Sequence, residues 1–209
     1  PQSKILKRLH PIYNNYGEKK DKDVARKELD ISAKNVILYF GIVRGYKGFD
    51  TLIEAAALLK DKLYDFHIYA VGECYEDAQK YTNLIESLQV ADVLTWDNNF
   101  VPDAQVSTIF SAADIMALPY RSASQSGIIQ IANHFHIPVI ATNVGGLPEY
   151  IDNGNTGKIV EANNPRELST ALAENFNKDL TKSYIENLDS WSQQFSWTHF
   201  IGGIEELYK

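Results

Sequence analysis

Six short, continuous apolar runs punctuate this chain, and no feature limits its fold more. They are NVILYFGI (Asn35–Ile42), DFHIYAVG (Asp65–Gly72), VLTWD (Val93–Asp97), DIMALPY (Asp114–Tyr120), PVIAT (Pro138–Thr142) and GKIV (Gly157–Val160). A strand with one face in water alternates apolar and polar residues, whereas an unbroken apolar run of strand length is buried on both faces. Between the runs the pattern changes to helical spacing. Phe49, Leu52, Ile53, Ala56 and Leu59 predict a helix of roughly four turns. Further helices are predicted over Tyr75–Leu88, over Asp103–Ala113 with Asp103 as N-cap, along the face Ile128, Ile131, Ala132 and Phe135, and over Asn164–Phe176 with its proline in the first turn. Ala25–Leu29 predicts a short helix before the first strand. The order strand, helix, strand demands right-handed crossovers and gives a doubly wound, Rossmann-like parallel sheet of about six strands with helices on both faces.

At 209 residues the chain is long enough for one such core, and no linker or internal repeat divides it. The expected organisation is a lead-in and first helix at 1–34, the core at 35–177 and C-terminal helices packing across it at 178–209. Its formal net charge of −7 argues against a nucleic-acid partner, although a local basic site still suits a phosphate. The single cysteine, Cys74, excludes an internal disulfide and fits a reducing, cytoplasmic setting. No apolar run has the length of a membrane span. The chain opens on Pro1 rather than Met, as a piece of a longer protein would.

In an open α/β sheet, ligands bind beyond the carboxyl ends of the strands where the strand order reverses. The first and fourth strands flank that point, and each is followed by an unusual turn. GIVRGYKG (Gly41–Gly48) brings Arg44 and Lys47 together among glycines that admit a ligand to the backbone. Arginine offers a planar fork to phosphate oxygens and lysine a compact charge. SASQSG (Ser122–Gly127) has no acid, base or bulky side chain and leads into a helix. Unpaired N–H groups and the positive end of the helix dipole favour an anion there. Two solvated cations and an ordinary serine cap are the plain alternatives; together in one crevice, the two turns suit a diphosphate. The chain has no G-x-G-x-x-G after its first strand, no G-x-x-x-x-G-K-[ST] and no G-x-S-x-G. Its five histidines form no metal pattern, and Cys74 has no base beside it in the sequence, so neither a metal nor a thiol nucleophile is expected.

The motifs FGIVRGYKGFDTLIEA, FHIYAVGE, SAADIMALPY and PVIATNVGGLPEYIDNGNTGKIV, in this order, resemble the nucleotide-sugar-binding half of a family-4 retaining glycosyltransferase of the GT-B fold. The resemblance runs from about His10 to Lys209 and includes FSW (Phe195–Trp197). It implies the C-terminal half of the fold, with HPIYNNYG as the inter-domain lead-in and an acceptor-binding N-terminal half as partner. It also implies a UDP- or GDP-sugar donor, hexose transfer with retention in glycan or polysaccharide biosynthesis, and no cofactor or obligate metal. Membrane attachment would come through the other half. By this resemblance Lys47 binds the diphosphate, with Arg44 substituting for an arginine whose usual place holds Ile42. The backbone of Ser126, Gly127 and Ile128 faces the phosphates, while Gly72, Glu73, Asn99, Phe100 and Val101 line the nucleoside side. The family's two glutamates fall on Ala123 and Ile131, so Ser124 and Gln125 are left to meet the sugar. A nucleotide-sugar epimerase would need acids or bases that Tyr120–Gln130 lacks, and the missing glutamates leave a non-catalytic nucleotide-binding module as the other alternative.

Overall fold

A computed structural model describes residues 5–207; the outermost parts of the expected lead-in and tail, 1–4 and 208–209, lie outside the described residues. The six runs form β1 (Asn35–Phe40), β2 (Phe66–Val71), β3 (Leu94–Asp97), β4 (Ile115–Leu118), β5 (Val139–Thr142) and β6 (Gly157–Val160). All pair in parallel in the order β3-β2-β1-β4-β5-β6. The order reverses between β1 and β4, which pair through Ile37 with Ile115 and Leu38 with Met116.

Eight α-helices accompany the sheet among the described residues: α1 (Lys22–Glu28), α2 (Phe49–Leu59), α3 (Gln79–Ser87), α4 (Asp103–Ala112), α5 (Gly127–His134), α6 (Pro165–Asn177), α7 (Leu180–Trp191) and α8 (Trp197–Leu207). Alternation along each strand divides the core in two. Ile37, Tyr39, Ile68, Ala70 and Ile115 pack with α2, α3 and α6. Leu38, Phe40, Val71, Met116 and Leu118 pack with α4, α5 and Phe195. The central strands β1, β4 and β5 are apolar at nearly every position because both of their faces meet helices.

Several helix ends differ from the sequence expectation. Helix α2 has 11 residues, nearer three turns than four, because its charged continuation bends into a turn at Lys60–Lys62. Helix α3 begins at Gln79 rather than Tyr75; Cys74 instead bridges to Val43 and extends the sheet edge. Pro102, not Asp103, is the N-cap of α4, which leaves Asp103 inside the first turn, where its charge opposes the dipole's positive end. Helix α1 starts at Lys22 because the Asp21 side chain accepts from the Asp23 and Val24 amides. Asn164 caps α6 in the same way, accepting from Glu167 N, with Pro165 at the first helical position.

The lead-in crosses the face of α5. Gln130 Nε2 donates to His10 O at 2.6 Å, His134 Nε2 pairs with Gly17 O at 2.8 Å, and Ile12 N donates to Phe195 O at 2.9 Å. No helix among the described residues is long and apolar enough to cross a membrane.

Candidate functional site

The site grows from the ends of β1 and β4. Beyond β1 the chain stays tied to the sheet, with Gly41 N donating to Val71 O and Val43 N to Glu73 O, both at 2.9 Å. It then closes a single 3-10 turn at Gly45–Lys47. Beyond β4, Pro119 and Tyr120 lead into 121–126, and α5 starts at Gly127. The second turn leans on Gly145–Gly146: Gly146 N donates to Ser124 O at 3.0 Å, and a Cβ on Gly145, whose φ is +51°, would lie 1.5 Å from Ala123 O. Only glycine permits that approach.

Between the turns lies a cavity of about 600 Å³. It is lined by Tyr46 and Lys47 from the first turn and by Tyr120, Ser122, Ala123, Ser124, Gln125 and Ser126 from the second. None of these side chains is acidic. Lys47 is partly buried, and its ammonium forms no ion pair or hydrogen bond among the described residues; its Nζ lies 5.5 Å from the centre of the Tyr120 ring. Burial, reinforced by the nearby charge of Arg44, brings its pKa down from 10.5 to about 8. Ser126 holds the N-cap position without a side-chain capping bond, so the ordinary serine-cap alternative does not describe this helix start. Its hydroxyl instead lies 3.5 Å from that of buried Tyr120, whose pKa burial pushes up to about 12.

A second, apolar slot of about 170 Å³ adjoins the first. Phe40, Gly41, Ile42, Gly72, Glu73, Tyr75, Phe100 and Val101 line it. Gly72 needs its glycine: at φ +142° a Cβ would lie 2.2 Å from Gly41 O. Gly41 joins the two spaces, since a Cβ there would sit 3.2 Å from Lys47 Nζ and 3.5 Å from Ile128 Cδ1.

The crevice therefore brings together Lys47, Ser124, Gln125 and Ser126 in the larger space and Gly72, Glu73, Phe100 and Val101 in the slot. Ile128 borders both through Gly41. Gly127 starts α5 as expected but packs beneath Tyr13, where a Cβ would meet the ring at 2.7 Å. Arg44 stays exposed, its guanidinium 5.4 Å from the Tyr75 ring centre rather than in the cavity. Asn99 turns back to Asp97, donating to Oδ1 at 2.6 Å, and does not line the slot. Of the two positions that hold glutamate in the resembling family, Ala123 lines the cavity while Ile131 is buried in the apolar core. Tyr46, Tyr75, Tyr120 and Arg121 belong to the neighbourhood without having been singled out from the sequence. Tyr120 and Arg121 sit immediately past a strand end at the switch point, which was the signal available for them.

The domain is a doubly wound α/β fold whose switch point carries an unpaired lysine side chain, a helix start without a side-chain cap and an apolar slot. The family model described as glycosyl transferases group 1 matches residues 21–191, and the chain belongs to that family. It is 30% identical over 191 residues to a D-inositol 3-phosphate glycosyltransferase of Corynebacterium aurimucosum, an overlap of 88% of this chain and 45% of the relative. Its fold is similar to that of sucrose-phosphate synthase from Thermosynechococcus elongatus, with a TM-score of 0.80 at 20% identity over 95% of this chain and 50% of that one. It is also similar to HepE of Anabaena, solved with UDP-glucose, with a TM-score of 0.77 at 20% identity over 94% of this chain and 55% of that one. The fold is the Rossmann-like α/β half found in GT-B glycosyltransferases, and the chain spans about half the length of the relatives it matches.

Proposed function

We propose that this domain binds the nucleotide-diphospho-sugar donor of a glycosyltransferase, with the diphosphate between Lys47 and the start of α5. One observation carries the proposal: Lys47 is a partly buried ammonium without a counter-ion among the described residues, in a cavity free of carboxylates. Burying an unpaired charge is unfavourable, and an anion relieves that cost. The slot at Gly41, Gly72 and Phe100 takes the nucleoside, apolar enough for a base and adjacent to the cavity through Gly41. Ser124 and Gln125 meet the sugar. The UDP-glucose held by HepE is a donor of the class proposed.

In the whole enzyme the diphosphate becomes the leaving group as the bond to the anomeric carbon breaks. Lys47 and the α5 amides stabilise the charge that develops on it. We propose transfer of a hexose-type sugar with retention in glycan or polysaccharide synthesis. The acceptor comes from a second half of the protein, which covers the exposed face Trp197, Ile201 and Ile204 of α8. The 209-residue chain by itself then transfers no sugar.

The test is titration of the chain with UDP, GDP and ADP by calorimetry and thermal unfolding. A ligand at a hundred times its Kd adds about 2.7 kcal/mol, or roughly 5–10 °C for a domain of this size. Absence of heat and of any melting shift with all three nucleotides refutes the assignment.

A further inference from the structure

The turn that carries Lys47 is weak in itself. Its own hydrogen bonds are Lys47 N to Arg44 O at 2.8 Å and Gly48 N to Gly45 O at 3.3 Å, and a short 3-10 turn between glycines has little intrinsic rigidity. Yet Lys47 must meet the same anion as a helix start on another strand. The rest of the chain grips the turn from both sides. Glu76, from the segment after β2, accepts from Gly45 N at 3.1 Å. Lys80, at 2.7 Å, and the Tyr81 hydroxyl hold that carboxylate in turn. On the other side Arg121 Nη1 donates to Gly45 O at 2.9 Å, and Arg121 N donates to Tyr46 O at 2.7 Å. The same guanidinium reaches Asp50 Oδ2 on α2 through Nη2 at 2.7 Å and Asn163 Oδ1 before α6 through Nε at 2.6 Å.

Arg121 is also the residue immediately before the second turn. It links both anion-facing turns and anchors them to α2 and to the segment before α6. Three of its nitrogens already point at fixed protein acceptors, so this cation beside the cavity is committed elsewhere. We infer that Arg121, assisted by Glu76, is a positioning residue that holds the Lys47 turn in register with the start of α5, and that it is not itself a ligand of the phosphates. The inference rests on the diphosphate assignment above. A lysine cannot replace it, because one compact ammonium cannot serve acceptors on three separate segments with a planar fork's geometry.

Calorimetry of the 209-residue chain with UDP and with uridine tests this. Arg121→Ala is expected to weaken UDP by about tenfold or more, equivalent to ~1.4 kcal/mol, with uridine held within about twofold of wild type. Arg121→Lys is expected to behave like the alanine variant. Asp50→Asn gives the sharper sign. Removing a carboxylate near an anion site strengthens UDP binding if charge alone acts, whereas loss of one arm of the clamp weakens it. Unchanged UDP affinity in Arg121→Ala overturns the inference. So does a parallel loss of UDP and uridine, which marks a general defect of the fold, a rescue by lysine, which marks a direct ligand, or tighter binding by Asp50→Asn. Wild-type chain with no affinity for UDP, GDP or ADP removes the diphosphate assignment, and the inference with it; where GDP or ADP binds instead of UDP, the same series is run with that nucleotide and its nucleoside.

Discussion

Lys47→Met separates what the lysine does for the ligand from what it does to the fold. Methionine keeps most of the apolar stem and removes the charge. In the free domain, burial and Arg44 bring the Lys47 pKa from 10.5 to about 8, so holding its proton at neutral pH works against folding. At 1.36 kcal/mol per pH unit the upper bound is about 3 kcal/mol, and partial exposure reduces it to ~1–2 kcal/mol. The variant is therefore expected to melt roughly 2–8 °C above wild type at pH 7. The advantage is lost at higher pH. Below pH 8 the lysine is charged in both folded and unfolded chains, and the penalty is complete. Between about 8 and 10.5 the folded protein releases the proton first, the unfolded chain binds more protons, and wild-type stability rises relative to the variant. The advantage of methionine should fade across that window. UDP affinity should move the other way, falling by about 1.5–3 kcal/mol for a lost charged hydrogen bond, or roughly tenfold to a hundredfold. In wild type, UDP affinity should itself decline as pH passes about 8 and Lys47 deprotonates. Melting curves from pH 7 to 10.5 and calorimetry with UDP measure both effects. A variant less stable than wild type at pH 7, with unchanged UDP affinity, refutes the account of an unpaired lysine awaiting an anion.

Two further substitutions probe the slot and the brace. Phe100 is 73% exposed, so Phe100→Ala should leave stability within about 0.5 kcal/mol. Loss of stacking should nevertheless weaken uridine by ~1–3 kcal/mol, read by calorimetry, and equal affinity would remove the nucleoside from this slot. Gly145→Ala places a methyl group against Ala123 O and should destabilise by about 2–4 kcal/mol in urea unfolding while impairing UDP binding. An unchanged unfolding midpoint would show that the second turn does not lean on Gly145.

The core was legible because its physics is local. Residues such as Ile37, Leu38, Tyr39 and Phe40 announce a strand buried on both faces, and all six runs became strands. Helix ends were harder to read. Tyr75–Ala78 has helical composition, but the Val43–Cys74 bridge keeps the chain extended where it leaves β2, and tertiary pairing outweighs propensity. Within the site, Lys47, Ser124, Gln125 and Ser126 stood out because cations, glycines and small residues flank the expected switch point. Arg121 did not, since its meaning lies in Gly45, Asp50 and Asn163, far away in the chain. Arg44 and Asn99 show the converse: residue type and position suggested the crevice, and a tyrosine ring and a neighbouring aspartate took them instead.

By itself, then, the sequence determined the layered α/β architecture, the parallel sheet and the two turns that mark its binding edge. Hydrophobic period, glycine and proline act over a few residues, and strand chemistry dictates where an open sheet reverses. Only the tertiary structure decided which cation stays unpaired, which is tied down, and which polar atoms share a cavity. Those outcomes depend on distances between segments far apart in the chain, such as the 76 residues between Gly45 and Arg121, and on burial that no local pattern encodes.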